Sequence, residues 1–280
     1  MRRIDLHVHT TASDGTFSPA ETVSLAHSLG LSAIAITDHD TVSGYSEAAA
    51  EGQKLDIEVI PGIELSTNYK GAVHILGYFI DPAHPELCRE LQQIIDERDS
   101  RNRRIAARMQ DDGINVSYDA MKECFGGSIG RPHFAEILME HHLASSTADA
   151  FRRFLNKGGQ YWIPRTLPSL EQCITLIRAA GGIPVLAHPF EYTYQQKSLP
   201  ELIEVCMGFG LQGIECRHSI HDPGQMVYLE YLADEYGLLK TGGSDFHGEV
   251  KPDIRLGCGK GLLSVPEIWL DELKRAQQQS

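Results

Sequence analysis

Short apolar runs alternate along the chain with longer segments in which apolar positions recur with a helical period. Strands are predicted at Ile4–Val8, Ser32–Thr37, Ile57–Ile60, Val73–Phe79, Ile183–Ala187, Gly213–Cys216 and Leu238–Thr241. Helices are predicted between them at Pro19–Leu29, Glu47–Gln53, Leu170–Ala180, Leu199–Phe209 and Gly224–Tyr236, the first with Ser18 as N-cap and Pro19 in its first turn. This alternation predicts an α/β fold with a mostly parallel sheet, and about seven strands predict a closed or nearly closed barrel.

The alternation stops between residues 96 and 165, where the pattern is helical throughout and predicts no strand. We therefore predict two domains. Residues 1–95 and 166–280 form the barrel, and residues 96–165 form an all-helical insertion that covers the active site.

Composition narrows the possible classes of protein. The chain has 280 residues, of which 42% are hydrophobic and 22% charged, as in ordinary globular proteins. No apolar run reaches the roughly 18 residues of a membrane helix, and the six cysteines include no CxxC pair, so we expect a soluble cytoplasmic protein with reduced thiols. The net charge of −13 argues against a broad surface for long nucleic acids.

Histidines and acidic residues recur where the predicted strands end, the edge of such a barrel that holds the active site. They are His7, His9, Asp38, His39, Asp40, Glu64, His74, His188, Glu215, Asp245 and His247. A single H-x-H is a weak signal, because most isolated histidines are surface or packing residues. Accidental placement of such residues at several separate strand ends is a far weaker explanation than a metal centre.

The spacing of these residues favours more than one ion. His7 and His9 are two apart on a strand and project to one face, and Asp245 and His247 repeat this spacing. Glu64 is the natural carboxylate to be shared between two ions. Imidazole mixed with carboxylate, without cysteine, favours Mn, Fe or Zn over Ca or Mg.

The motifs around these residues closely resemble those of the polymerase and histidinol phosphatase (PHP) family, and they cover the chain from end to end. They are Asp5–Thr10 with Ser13–Gly15, Ile36–Asp40, Gly62–Glu64, Ala187–Pro189 and Gly243–His247. The resemblance implies a distorted seven-stranded (β/α) barrel with a trinuclear metal centre. Two to three divalent ions are therefore expected, with Mn favoured and Fe or Zn as alternatives.

The resemblance also implies a ligand for each ion. His7, His9, Glu64 and Asp245 would hold the first. Glu64 would bridge to the second, which His74 and His188 complete. Asp14, His39 and His247 would hold the third, with Asp14 at a position where some members have histidine.

The helical insertion resembles that of PHP enzymes that act on nucleoside 3′,5′-bisphosphates and on the 5′ ends of short RNA. The similar segments are Ser128–Ala135 and Asn156–Gly159. Arg101, Arg104 and Arg108 would share one helix face. Because arginine binds phosphate through two parallel hydrogen bonds, we predict substrate contacts from Arg101, Arg104, Arg131, His133 and His221, whereas a solvated helix face is the alternative, favoured for Arg108.

We therefore expect a metal-dependent phosphomonoesterase that removes the 3′-phosphate of nucleoside 3′,5′-bisphosphates with metal-activated water and no side-chain nucleophile. The alternatives are a 5′-3′ exonuclease on short oligoribonucleotides, histidinol-phosphate phosphatase and a non-catalytic metal-stabilised module. The expected partner is a small phosphorylated nucleotide or short RNA, and no membrane or obligate protein partner is expected. The remaining histidines are predicted to be surface or packing residues: His27, His84, His141, His142 and His218.

Overall fold

The computed structural model describes residues 3–69, 73–125, 129–191 and 199–279. Ser128 of the insertion motif lies outside these residues. The chain divides into two compact units, one of Met1–Leu91 with Leu167–Ser280 and the other of Gln92–Thr166. We refer to them as the barrel unit and the helical unit.

The barrel unit is built on one sheet that contains every predicted strand. The strands are β1 (Arg3–Val8), β2 (Leu31–Ile36), β3 (Glu58–Ser66), β4 (His74–Tyr78), β5 (Ile183–Leu186), β6 (Gly213–His218), β7 (Leu239–Gly243) and β8 (Val265–Pro266). The order across the sheet is β7-β6-β5-β4-β3-β2-β1-β8. This arrangement, with helices between the strands, confirms the predicted α/β class and the barrel.

The barrel closes between β1 and β7. Val8 forms a parallel bridge with Phe246, and the Asp245 amide donates to the His7 carbonyl at 2.9 Å. Gly243 allows this close approach, because a Cβ at that position would collide with the backbone and Cβ of His7. The ends of the first and last long strands, which both lead to predicted ligands, therefore meet.

Strand β4 runs antiparallel to both neighbours, where the sequence pattern predicted a mostly parallel sheet. The chain between Ser66 and His74 is too short for the helical crossover that two parallel strands require. As a result His74 is the first residue of its strand and pairs with Ser66, near the carboxyl end of β3. The sequence pattern grouped His74 with residues at strand ends. His74 instead begins its strand, and the antiparallel direction of β4 brings it to the same edge.

The sheet also has one strand more than the predicted seven. The additional strand, β8, contains only Val265 and Pro266 and pairs antiparallel with β1. A two-residue strand has no alternating pattern to recognise, which explains why the sequence did not predict it.

Five helices of this unit lie near the helices that the apolar period predicts. They are α1 (Pro19–Ser28), α2 (Tyr45–Leu55), α7 (Leu170–Ala179), α8 (Leu199–Phe209) and α9 (Pro223–Tyr236). Two were not predicted in this unit: α10 (Glu267–Gln277), and α3 (Pro85–Asp111), which begins before residue 96 and continues into the helical unit. Ser18 caps α1 by accepting from the Glu21 amide, as predicted. Val23, Ala26, Ile34 and Ile36 pack in one of the buried clusters between helices and sheet.

All described elements of the helical unit are helices, and they enclose a core of their own. Beyond α3 they are α4 (Tyr118–Phe125), α5 (Arg131–Glu140), α6 (Thr147–Ala150) and a π-helical turn (Phe151–Leu155). Met109, Phe134, Leu138 and Leu155 are buried in this core. No helix in the described part of the chain combines the length and apolar character needed to cross a membrane.

Candidate metal centre

Strand β1 delivers two histidines to the interior of the barrel edge. His7 and His9 lie on one side of the strand with Val8 between them, and both are fully buried. Their rings are 5.2 Å apart between centroids. The period of two along an extended strand is the cause of this shared orientation, as the sequence predicted.

One oxygen of Glu64 faces three imidazoles. Its Oε2 lies 3.3 Å from His7 Nε2, 3.2 Å from His9 Nε2 and 3.1 Å from His39 Nδ1. Glu64 is itself buried within β3, and its backbone is bridged to His39. This carboxylate therefore stands at the point where strands β1, β2 and β3 converge.

The other oxygen of Glu64 faces a second pair of imidazoles. Its Oε1 lies 2.8 Å from His74 Nδ1 and 2.7 Å from His188 Nε2. The two oxygens thus serve two different sets of histidines, which is the arrangement expected of a carboxylate that bridges two cations.

Asp245 brings the carboxyl end of β7 into the same cluster. Its Oδ1 lies 3.3 Å from His9 Nε2, 3.4 Å from His247 Nδ1 and 3.7 Å from His7 Nε2. The backbone of Asp245 has a φ of 58°, in the left-handed region that is unfavourable for residues other than glycine. Such strained backbone is concentrated at functional sites, where the surrounding structure holds it in place.

Asp14 lies at the exposed side of the cluster. Its carboxylate oxygens are 3.3 Å from His247 Nε2, 3.8 Å from His9 Nδ1 and 3.9 Å from His39 Nε2, and 43% of its side chain is exposed. These four residues can converge on a single ion. Asp14 has the most exposed side chain of the nine predicted ligands.

The structure brings all nine predicted ligands into one cluster. Four groups of residues in this cluster, one of which includes the unpredicted His218, could each hold an ion. The groups are His9, Asp14, His39 and His247; His7, His9 and Glu64; His39, Glu64 and His74; and His7, His218 and Asp245. Both ring nitrogens of His9 and Nδ1 of His39 are buried and make no well-aligned hydrogen bond to a described residue. Buried nitrogens in this state, close to carboxylates, fit divalent cations such as Mn, Fe or Zn.

His218 is a member of the cluster that the sequence pattern missed. It was predicted to be a surface or packing residue, but it is fully buried with Nε2 3.5 Å from Asp245 Oδ2. It lies at the carboxyl end of β6, in the strand that also carries Glu215. It lies two residues beyond the predicted strand Gly213–Cys216, and only folding brings it to Asp245, so neither motif nor spacing identified it.

Two further carboxylates orient the histidines from behind. Glu215 Oε1 lies 2.9 Å from His7 Nδ1, and its Oε2 accepts from the His188 amide at 2.7 Å. Glu191 Oε2 lies 2.8 Å from His188 Nδ1. A carboxylate on one ring nitrogen leaves the other nitrogen to face a metal and increases its basicity.

The charges of the cluster are mutually compensated. Burial alone would lower the pKa of His7, but Glu215 and Glu64 more than offset this and hold that pKa well above its usual value. Burial also opposes the rise in the pKa of His9, which Asp245 and Glu64 nevertheless raise to about 9. For His39 burial prevails and lowers the pKa to about 3, which leaves a neutral imidazole.

His221, a predicted substrate contact, is buried in the barrel unit. Its Nδ1 is 3.3 Å from the Cys216 carbonyl, and its ring meets Phe190 edge-on with centroids 5.5 Å apart. Its Nε2 is buried with no hydrogen bond to a described residue. Burial, with the nearby His218, lowers the pKa of His221 to about 4.

The helical unit contains a separate cluster of arginines. Burial lowers the pKa of Arg101 to about 9, and three neighbouring positive charges add to this effect. They are Arg165, Arg98 and Arg131, in order of strength. Burial and Arg165 likewise lower the pKa of Arg131. Crowded arginines of this kind create a region of positive potential suited to an anion.

The other predicted contacts in the helical unit have different surroundings. Arg104 is exposed, and Arg108 donates to the Trp162 carbonyl at 3.1 Å. His133 Nδ1 accepts from the Gly130 amide at 3.0 Å, at the start of α5. Arg98 and Arg165 were not predicted, because their link to Arg101 is made by folding and not by helical spacing.

Three comparisons relate the chain to known proteins. The model of the PHP domain matches residues 5–161. A 5′-3′ exoribonuclease from Haemophilus influenzae is 35% identical over 270 residues, 96% of this chain and 98% of that protein. A 3′,5′-nucleoside bisphosphate phosphatase from Chromobacterium violaceum is 35% identical and covers 91% of both chains. The solved structure of a protein from Bifidobacterium adolescentis named as a metal-dependent phosphoesterase superposes with a TM-score of 0.83 at 29% identity, covering 97% of this chain and 95% of that one.

Proposed function

Because this chain belongs to the PHP domain family and is a hydrolase of phosphoester bonds, we propose that it removes the 3′-phosphate of nucleoside 3′,5′-bisphosphates. The products are a 5′-mononucleotide and inorganic phosphate. The observation that carries the proposal is the presence in one chain of a histidine–carboxylate cluster and a cluster of four arginines. The first suits chemistry on one phosphate and the second suits binding of another.

The proposed ligand sets follow the division of the cluster. His7, His9, Glu64 and Asp245 hold the first ion, Glu64 with His74 and His188 the second, and Asp14 with His39 and His247 the third. His7 and His9 face Oε2 of Glu64 whereas His74 and His188 face Oε1, which supports the separation of the first two sets. His39 also faces Oε2, so the third set adjoins the first. When bound, such ions lower the pKa of water and offset the charge of phosphoryl oxygens, and Mn is the metal that we favour.

The residues of the chain then have defined tasks. Glu215 and Glu191 fix the imidazole orientations, and Glu64 and Asp245 keep their negative charge despite burial, because the pKa of each carboxyl is held well below its usual value by the adjacent histidines. The oxygen of water bonds to phosphorus, the bond from phosphorus to the ribose 3′ oxygen breaks, and that oxygen takes up a proton. Because the bond between phosphorus and the ribose oxygen breaks, hydrolysis in oxygen-18 water places the label in the released phosphate. Because no side chain acts as nucleophile, no phosphoenzyme forms in a single turnover.

The arginine cluster is proposed to bind the phosphate that is not hydrolysed. Arg101 and Arg131 are its best candidates, because both are crowded by Arg165 and gain most from a bound anion. His221 is proposed to contact the substrate through its buried Nε2. Arg104 and His133 are proposed as weaker contacts.

The alternative is a 5′-3′ exonuclease on short oligoribonucleotides, which the name of the Haemophilus influenzae relative favours. Both activities require a group that binds phosphate in addition to the same metal chemistry. Histidinol phosphate is a weaker candidate substrate, because its single phosphate leaves the arginine cluster without a partner.

The decisive experiment compares kcat/KM for adenosine 3′,5′-bisphosphate, 3′-AMP, 5′-AMP and a short 5′-phosphorylated RNA with the Mn-loaded protein. We expect the bisphosphate to be the best substrate and 5′-AMP to be a poor one. A bisphosphate no better than 3′-AMP would disprove the two-phosphate proposal. A clear preference for the RNA would replace it with the exonuclease.

A further inference from the structure

A lysine approaches the cluster from the loop that follows β7. Lys251 comes directly after the short 3₁₀ helix Gly248–Val250, and its amide donates to the Gly248 carbonyl at 3.2 Å. Its ammonium lies 2.5 Å from Asp245 Oδ2. No motif predicted a lysine at this place.

The two oxygens of Asp245 face different partners. Its Oδ1 faces the imidazoles of His9 and His247, at 3.3 and 3.4 Å. Its Oδ2 faces Lys251 and, at 3.5 Å, His218. The ammonium therefore sits beside the cluster without taking the oxygen that faces most of the proposed ligands.

The ammonium also lies at the boundary between the cluster and solvent. The side chain of Lys251 is 35% exposed, whereas that of Asp245 is 6% exposed. An ammonium carries three N–H donors, and among the described residues the structure gives that of Lys251 one hydrogen bond, to Asp245. Donors are therefore left for another anion.

We propose that Lys251 is a catalytic residue that donates a hydrogen bond to a non-bridging oxygen of the phosphoryl group during hydrolysis. The inference rests on the proposed function. While the water oxygen bonds to phosphorus and the bond to the ribose oxygen breaks, the ammonium keeps its protons and stabilises the negative charge on the phosphoryl oxygens. Asp245 anchors the ammonium so that it needs no rearrangement when the substrate reacts.

The test uses Lys251→Met, Lys251→Arg and the control Lys260→Met, an exposed lysine of the same connecting segment. In the Mn-loaded protein we expect Lys251→Met to lower kcat/KM about 100-fold, as loss of one such donor does. Calorimetry should show inorganic phosphate binding at least about 10-fold more weakly. Metal content by mass spectrometry should stay unchanged. Lys251→Arg should recover part of both losses, and Lys260→Met should resemble the unaltered protein.

Two results would overturn the inference. One is a loss of metal in Lys251→Met together with full recovery in excess Mn, which would mean that the lysine acts only through Asp245. The other is phosphate affinity equal to that of the unaltered protein. The phosphate titration needs no turnover, so it also separates the two proposals. Suppose that the unaltered protein hydrolyses none of the nucleotides, while the Lys251→Met variant binds inorganic phosphate more weakly than the unaltered protein does. Only the proposed substrate would then be wrong.

Discussion

The barrel unit and the helical unit bury charge in opposite ways. In the barrel unit, positive and negative side chains are interleaved, and one carboxylate, Glu64, contacts five histidines. In the helical unit, arginines crowd one another, and Arg101 is 9% exposed. The first arrangement compensates its own charge, whereas the second increases its electrostatic cost with each added arginine.

This difference indicates what each cluster binds. Raised pKa values at His7 and His9 mean that protons supply positive charge where cations are proposed to bind. The lowered pKa of Arg101 means that burial, and then the neighbouring arginines, disfavour its positive charge, so a bound anion would stabilise the cluster. Cations bound in the barrel unit must therefore displace protons from histidines, whereas an anion bound in the helical unit would supply the negative charge that the arginine cluster lacks.

The largest expected effect comes from Glu64→Gln. An amide cannot supply two negative oxygens to two sets of histidines, so the loss of several kcal/mol of charge stabilisation should lower kcat about 1,000-fold or more. Metal content by mass spectrometry should fall in parallel. Glu58→Gln is the matched control, because Glu58 lies on the same strand but pairs at the surface with Lys274. Near-normal turnover of Glu64→Gln on the best substrate would contradict the proposed bridging role.

Glu215→Gln should have the next largest effect, through the histidines that it orients. One end of the amide would present N–H groups either to the His7 ring or to the His188 amide, where the carboxylate now accepts. We expect metal affinity to fall about 10- to 100-fold, measured by competition with a chelating dye. Glu191→Gln should cost less, because 48% of the Glu191 side chain is exposed and water can replace it. Equal losses in the two variants would show that burial of Glu215 is irrelevant.

Arg101→Ala tests the second unit and should discriminate between substrates. A lost charged hydrogen bond is worth about 1.5–3 kcal/mol, so kcat/KM for the bisphosphate should fall about 10- to 100-fold. An activated aryl phosphate, which offers one phosphate, should be hydrolysed almost as before. Arg103→Ala is the control on the same helix, since Arg103 is exposed and pairs with Asp119. A similar loss on both substrates would mean that Arg101 serves folding.

The barrel cluster was predictable from sequence because strand geometry is local. Residues two apart on an extended chain point to the same face, so His7 at the end of β1 and His9 just after it could be paired without knowledge of the fold. Apolar runs likewise located seven of the eight strands. The antiparallel direction of β4 follows from the short connection before it. That length can be read from the sequence, but the alternation of strands and helices favoured a mostly parallel sheet.

The contacts of the supporting residues were not predictable, because only tertiary folding brings them to their partners. Glu215 was recognised as an acidic residue at a strand end, but not as the partner of His7. Glu215 meets His7 across 208 positions of sequence, and Arg165 joins Arg101 across the helical unit. No period or motif encodes such contacts. The same applies to His218, whose burial depends on closure of the barrel.

The smallest expected effect is a pH dependence that belongs to the metal-free barrel. The pKa of His9 is raised from 6.5 to about 9 and that of His188 to about 10, in each case by carboxylates that outweigh burial. A raised folded-state pKa stabilises the fold fully below pH 6.5 and loses this contribution as pH rises through the raised value. Thermal unfolding of the metal-free protein should therefore shift to lower temperature between pH 6.5 and 9, with a weaker shift in His9→Gln. The Mn-loaded protein should lack this shift because metal replaces the protons, and metal affinity should rise with pH over the same window. A metal-free protein that became more stable across this window would show that the carboxylates do not stabilise the protonated form of these histidines.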